Sequence, residues 1–428
     1  MIPSFESFLN TYIPVHRLIN KKISGKAASF FLYSSFFIFL SFCYSCNSST
    51  KEKVNITDTT IILIPPPAPI SNLEKEKLGN SCKIWYDSVL KNSAFNGGIL
   101  VAKNGNIIFE EYKGMVQLGS HSSINANTSL HIASVSKTFT AMAILKLAEE
   151  GKLNIDDPLS MYFTNFNYPG VTIKTLLNHR SGLPNYLYFM EEIGWDKSAY
   201  IKNQDVLDYL INRKSEIKNI GAAGKNFNYC NTNYVLLALV IEKITATSFP
   251  DHLRKTFLEP LRMHNTFVFT LADTVRINPS YDWKGNKIDI NFLDQAYGDK
   301  NMYSTPRDLL IWDQALAGNV IFKHATLENA YTPYSNEKPG IKNYGLGWRM
   351  NVYPTGRKMV FHNGWWHGSN AVFIRLIEDN ATIILIGNRY TRAIYKASHL
   401  VNLFNSYFKQ AVETESEPAI LDTLSGKE

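Results

Sequence analysis

The sequence predicts an α+β fold, with one antiparallel sheet formed by both chain ends, flanked by helices and interrupted by an inserted, mainly helical subdomain. Three observations carry this expectation. "GGILVAKNGNIIFEEYKG" (97–114) reads as two alternating runs around Asn104-Gly105, a strong hairpin signal. From about Thr138 to Leu261 the patterns are mostly helical, broken by loops. After Tyr344 come strand-like runs again: "YGLGWRMNVY", "RKMVFHNG", "AVFIRLIE" and "ATIILIGN". Strands at the two ends with helices between them close into one sheet carrying an insertion.

In chain order, Arg17, Lys21, Lys22 and Lys26 precede an uncharged stretch, Ala27 to Thr50, whose core is apolar. Residues 1–46 therefore read as an export signal or membrane anchor. Cys46 follows the small Ser45 as in a lipoprotein cleavage site, with Cys43 at the position where leucine is usual; a lipoprotein is slightly favoured over a plain anchor. Residues 47–75, polar and then Pro-rich ("LIPPPAPISNLEKEK"), read as an extended tether. The folded domain is expected over 76–412. "SCKIWYDSVL" forms a helix at its start, "YKASHLVNLFNSYFKQA" an amphipathic helix at its end, and 413–428 a loose tail. The expected location is the cell envelope, with the domain on the periplasmic or extracellular side.

The 428 residues are 45% hydrophobic and 13% aromatic, ample for a large core. A net charge of +7 without a Lys/Arg cluster resembling a nucleic-acid footprint sets nucleic acid aside as a partner. Cys82 and Cys230 are the cysteines left for the folded part; their spacing neither requires nor forbids a bridge, and no Cys/His spacing suggests zinc.

Ser-x-x-Lys occurs six times: at Ser134/Lys137, Ser48/Lys51, Ser88/Lys91, Ser215/Lys218, Ser335/Lys338 and Ser406/Lys409. Ser48 lies in the tether, and Ser215 and Ser335 sit in polar surroundings with no apolar helix following. Ser88 and Ser406 fall inside amphipathic helices, where solvent-facing polar residues are ordinary. Ser134 stands where "SLHIA" gives way to a long apolar helix ending at Gly151. A serine in that first turn is surrounded by unpartnered N–H groups, and Lys137 lies one turn later on the same face. A desolvated amine there can take the hydroxyl proton. Local sequence alone would favour an N-cap serine and an exposed lysine.

Two further motifs shift that balance. Tyr229-Cys230-Asn231 precedes an apolar helix, and His362-Asn363-Gly364 lies on or beside a strand. In this order the three motifs resemble the active-site set of the serine β-lactamase and penicillin-binding-protein superfamily. The resemblance is to its class C β-lactamase branch, with D-Ala-D-Ala carboxypeptidase and esterase relatives, over roughly residues 80–410. "LLNHRSGLPNY" (176–186), "GDKNMYSTPRDLLIWDQAL" (298–316) and "YGLGW" (344–348) match as well.

The resemblance implies that Ser134 is the acylated nucleophile, Lys137 its base, and Tyr229 the proton shuttle to the leaving group. It implies that Asn231 binds the substrate's acyl-side amide, and that Trp365, after Gly364, lends its N–H with that of Ser134 to an oxyanion hole. His362 takes the place of the lysine of the lactamases proper. Asn388, after "ATIILIG", reads either as a substrate-carboxylate ligand or as a strand-end turn residue. Cys230 reads as a small buried spacer, and the Trp365-Trp366 pair as a wall of the substrate cleft or as packing.

No metal or cofactor is implied, and a monomer acting on a small-molecule or peptide substrate is expected. The expected function is a D-alanyl carboxypeptidase- or esterase-like serine hydrolase; the alternatives are a class C-type β-lactamase and a non-catalytic penicillin-binding-like sensor. A histidine at its reference pKa of ~6.5 is mostly neutral at pH 7. Anionic substrates are therefore expected to be handled weakly unless His362 is protonated or another group such as Asn388 helps.

Overall fold

A computed structural model of the protein describes residues 60–404. The expected export segment with Cys43 and Cys46, the first part of the tether and the tail after 404 lie outside the described residues. The strands are β1 (Gly97–Lys103), β2 (Asn106–Lys113), β3 (Leu130–His131), β4 (Phe267–Val268), β5 (Ser280–Tyr281), β6 (Lys287–Ile288), β7 (Met302–Ser304), β8 (Lys342–Tyr344), β9 (Arg349–Val352), β10 (Lys358–Trp366), β11 (Ser369–Leu376) and β12 (Ala381–Gly387). The helices are α1 (Asn72–Val89), α2 (Ser136–Glu149), α3 (Ile173–Leu177), α4 (Tyr186–Glu192), α5 (Asn203–Asn212), α6 (Asn231–Thr245), α7 (Phe249–Leu253), α8 (Pro306–Ala317) and α9 (His324–Ala330).

The main sheet runs β2-β1-β12-β11-β10-β9-β8, antiparallel throughout. β1 pairs with β12 from Gly97↔Gly387 to Lys103↔Ala381, so the two chain ends do meet in one sheet and the α+β expectation holds. Asn104 and Gly105 both take positive φ (53° and 78°), as a type I′ hairpin requires. One face of the sheet is covered by α1 and by a 3-10 helix, Arg392–Leu403, through a core containing Cys82, Tyr86, Phe361, Val372 and Leu400. The other face packs on the helical insertion, through Phe139, Tyr234, Trp312 and Phe373. α2 and α6 form its centre and are buried on nearly every side, which explains apolar content too continuous for a simple surface stripe.

Three expectations are corrected. The Pro-rich segment from residue 60 is docked on the domain: Ile62 N–H donates to the Pro260 carbonyl (2.9 Å), Ala68 N–H to Asn104 O (3.0 Å), and Asn106 Nδ2 to Ala68 O (2.7 Å). α1 starts at Asn72, capped by the Ser71 hydroxyl, four residues before the expected domain boundary. The closing helix is a 3-10 segment through Leu403. Cys82 and Cys230 are both free and buried on opposite faces of the sheet, and burial raises their thiols to about 12 and about 11. Among the described residues, no helix is long and apolar enough to cross a membrane.

Candidate active site

The site forms where β3, the start of α2, the start of α6 and the second half of β10 converge. Ser134 lies in a 3-10 turn, Ala133–Val135, and α2 begins only at Ser136. The nucleophile candidate thus precedes the helix instead of lying in its first turn. Ala133 has φ +47°, a left-handed conformation costly for a residue with a side chain. The turn is pinned on both sides: Ile132 N–H donates to Met302 O (2.9 Å) on β7, and Ser136 Oγ donates to Ala133 O (2.6 Å). β10 runs close beside it. A Cβ added to Gly364 would lie 2.3 Å from Ile132 O and 3.1 Å from the Ala133 Cβ, so the Asn-Gly step is a steric requirement.

Lys137 is fully buried, and its amine has three acceptors: Ser134 Oγ at 3.1 Å, Asn231 Oδ1 at 2.7 Å and Asp299 O at 2.6 Å. Asn231 is the first residue of α6, which directs its side chain to the lysine. Tyr229, two residues earlier, lies with its ring centroid 5.0 Å from Lys137 Nζ and 4.9 Å from the Arg349 guanidinium carbon. The three motifs, far apart in sequence, are thereby brought to one point. Ser88, Ser215 and Ser335 are not part of this cluster; Ser48 and Ser406 lie outside the described residues.

His362 is buried, and both ring nitrogens are engaged. Nδ1 is 2.7 Å from the Asn363 carbonyl, which can only accept, so Nδ1 carries the hydrogen and Nε2 accepts from Tyr344 OH at 3.2 Å. Burial first, then the charges of Arg349 and Lys137, hold its pKa well below 6.5. His362 is therefore neutral and occupied, rather than a stand-in for a lysine charge.

β9 pairs with β10 only over Lys358–Phe361, so beyond Phe361 no described strand covers that edge. A two-residue turn closes the β10–β11 hairpin at Trp366↔Ser369, which makes Trp366, Gly364 and His362 the residues bonded to β11. The backbone groups of Asn363 and Trp365 consequently face the open edge. The Trp365 ring stacks edge-on to Tyr390 (6.0 Å), while Trp366 donates Nε1–H to Asp294 Oδ1 (2.6 Å) and lies against the Lys300 ammonium (4.6 Å).

Asn388 is a strand-end residue. It is buried; its Oδ1 accepts from Asn96 Nδ2 (2.5 Å) and its Nδ2 donates to Val116 O (3.2 Å) and Pro279 O (2.9 Å). Its amide is committed to the fold, so the carboxylate-ligand reading is withdrawn. Cys230 is the expected buried spacer, with Sγ on Pro184 O at 3.4 Å.

Sequence reasoning missed two participants. Asp299 contributes only its carbonyl, which leaves no trace in residue type, although it lies in the matched "GDKN" stretch. Arg349 follows "YGLGW" directly, and its position after that motif was the available signal. Among the described residues, no group of three or more His, Cys, Asp or Glu side chains is arranged to hold a metal ion.

A buried lysine on a turn serine, a tyrosine beside them and an open strand edge on an α+β scaffold define the architecture of the serine acyl-enzyme hydrolase superfamily. The Beta-lactamase family model matches residues 87–400, and the chain belongs to that family. It is 30% identical over 357 residues to penicillin-binding protein 4* of Bacillus subtilis (strain 168), covering 78% of this chain and 77% of that protein. The fold is shared with a class C beta-lactamase (TM-score 0.64, 19% identity, 78% of this chain and 98% of that one). It is shared too with the D-amino acid amidase of Ochrobactrum anthropi SV3 in complex with L-phenylalanine (TM-score 0.62, 22% identity, 77% of this chain and 97% of that one).

Proposed function

We propose that the protein is a serine hydrolase that forms an acyl-enzyme on Ser134 and acts on an amide or ester substrate in the cell envelope. The reading favoured is D-alanyl-carboxypeptidase-like cleavage of a substrate with a carboxylate on its leaving-group side. The observation that carries it is the hydrogen-bond geometry of Lys137. Asn231 Oδ1 and Asp299 O can only accept. They hold the buried amine in place and set Nζ 3.1 Å from Ser134 Oγ, within reach to take its proton once the amine is neutral.

As Lys137 takes that proton, Ser134 Oγ attacks the carbonyl carbon of a substrate lying along the open β10 edge. The oxyanion is held by the N–H groups of Ser134 and Trp365; a donor of this kind is worth ~2.7–4 kcal/mol where measured in a protease. Tyr229 passes the proton to the leaving nitrogen or oxygen as the C–N or C–O bond breaks. Water repeats the sequence on the ester and restores Ser134.

Arg349 would give the site the permanent cation that His362 lacks, and it is the helping group that the weak handling expected from His362 alone allowed for. The first 46 residues would export the domain and hold it at the membrane. Purified residues 58–428 should cleave acyl-D-Ala-D-Ala peptides faster than nitrocefin, with Ser134→Ala inactive on both. Efficient nitrocefin turnover with no peptide cleavage would replace this reading with a β-lactamase. Wild-type activity in folded Ser134→Ala would end it.

A further inference from the structure

We propose that two buried histidines, His131 and His179, are positioning residues: each uses an unprotonated Nδ1 to hold the backbone that aims one reacting side chain, His131 for Ser134 and His179 for Tyr229. The inference rests on the Ser134–Lys137–Tyr229 reading and adds how those side chains are kept in place.

His131 lies on β3, three residues before Ser134. Its Nδ1 accepts the N–H of Ala133 (3.1 Å), the left-handed residue that leads into the nucleophile. Its Nε2 is 3.1 Å from Asn301 Oδ1. The orientation of that amide is fixed because Asn301 Nδ2 donates to the carbonyls of Asp294 (2.9 Å) and Ala296 (2.6 Å). Oδ1 can only accept, so Nε2 carries the hydrogen and Nδ1 is the bare acceptor. The ring packs edge-on against Tyr303 (5.0 Å).

His179 brackets Tyr229. Its carbonyl accepts from Asn228 N–H (2.8 Å), its Nδ1 accepts from Cys230 N–H (3.1 Å), and its ring lies 4.3 Å from the Tyr229 ring. Asn233 Oδ1 accepts from the Ser181 hydroxyl (2.7 Å), which turns Nδ2 of Asn233 toward His179 Nδ1 (3.3 Å). Two donors meet at Nδ1, so this ring too has its hydrogen on Nε2. Three consecutive residues, 228–230, are thus held by one residue, Asn228 through its carbonyl and Tyr229 and Cys230 through its ring.

Protonating either Nδ1 would set a donor against a donor and release the turn. The surroundings oppose it. Burial lowers the His131 pKa to about 4, against the raising influence of Asn301 and Asp294, with His367 and Lys300 also lowering it. Burial, then Lys137, His362 and Arg349, hold His179 well below 6.5; Phe227, Tyr234 and Tyr344 complete its surroundings.

Asparagine places Oδ1 near the position of a histidine Nδ1, whereas leucine keeps bulk without an acceptor. His131→Asn and His179→Asn should retain kcat for p-nitrophenyl acetate within about threefold. The two leucine variants, folded by thermal melt, should lose roughly 10–100-fold in kcat and in fluorophosphonate labelling of Ser134 with KM nearly unchanged, as small misplacements of reacting groups do. Imidazole ¹⁵N shifts should report Nε2–H and bare Nδ1 for both rings at pH 7. Folded leucine variants with wild-type kcat, equal losses in asparagine and leucine variants, or a charged or Nδ1–H ring would overturn the proposal. Retained hydrolysis in Ser134→Ala would instead remove the reading beneath it, while the ¹⁵N shifts would still decide the histidines' protonation.

Discussion

Replacing Arg349 with glutamine removes the cation that lies 4.9 Å from the Tyr229 ring and keeps a shorter, uncharged polar side chain. A hydrogen bond to a charged partner contributes ~1.5–3 kcal/mol. At ~1.4 kcal/mol per factor of ten, kcat/KM for a substrate held by its carboxylate should fall roughly 10–150-fold. The assay compares an acyl-D-Ala-D-Ala peptide with the same peptide amidated at its C-terminus, in both proteins. The acid should lose that factor on Arg349→Gln, and the amide less than about threefold. His362 adds a pH criterion. Its pKa is depressed first by burial and only second by Arg349, so it stays neutral in the variant, and neither protein should show a limb from His362 between pH 6 and 8. Equal losses on acid and amide would refute Arg349 as a carboxylate ligand and reduce it to packing on Tyr229.

Tyr229→Phe removes one hydroxyl and should lower turnover by ~10²–10⁴-fold while leaving the melting temperature close to wild type; unchanged turnover would mean that Lys137 moves the proton alone. The folded-state pKa of His131, about 4, lies below its unfolded value of ~6.5, so its stabilisation is full above pH 6.5 and lost as pH falls toward 4. That loss is roughly 3 kcal/mol, and thermal melts of His131→Asn should fall less steeply than wild type over this range; parallel curves would contradict it. Deleting residues 60–70 removes the docked Pro-rich strap and its bonds to Pro260, Asn104 and Asn106, and should lower stability by ~1–4 kcal/mol. An unchanged denaturation midpoint would show that the strap contributes nothing.

The parts of the fold that were legible in sequence are those set by local chemistry. Asn104-Gly105 demands a tight hairpin, and the apolar runs of β11 and β12 are strands buried on both faces. The nucleophile could be chosen from six matches because Ser134 stands before a long apolar run, which is a helix buried almost all round. What escaped was set by tertiary placement. A Pro-rich run has the same composition free or docked, so the contacts of Ile62 and Ala68 had no signature. Asp299 acts through a carbonyl that any residue could offer. His362 reads as a site residue by position, yet its neutrality follows from burial and from Tyr344, eighteen residues away. Asn388 could be read either way until Asn96, Val116 and Pro279 were seen to use its whole amide.

The account depends on Ser134 being the atom that is acylated, and mass spectrometry after incubation with a fluorophosphonate and, separately, with a penicillin tests this directly. The digest should carry a single adduct, on the peptide containing Ser134, with labelling abolished in Ser134→Ala and strongly slowed in Lys137→Met. An adduct on Ser88, Ser215 or Ser335, persisting in Ser134→Ala, would contradict the central claim.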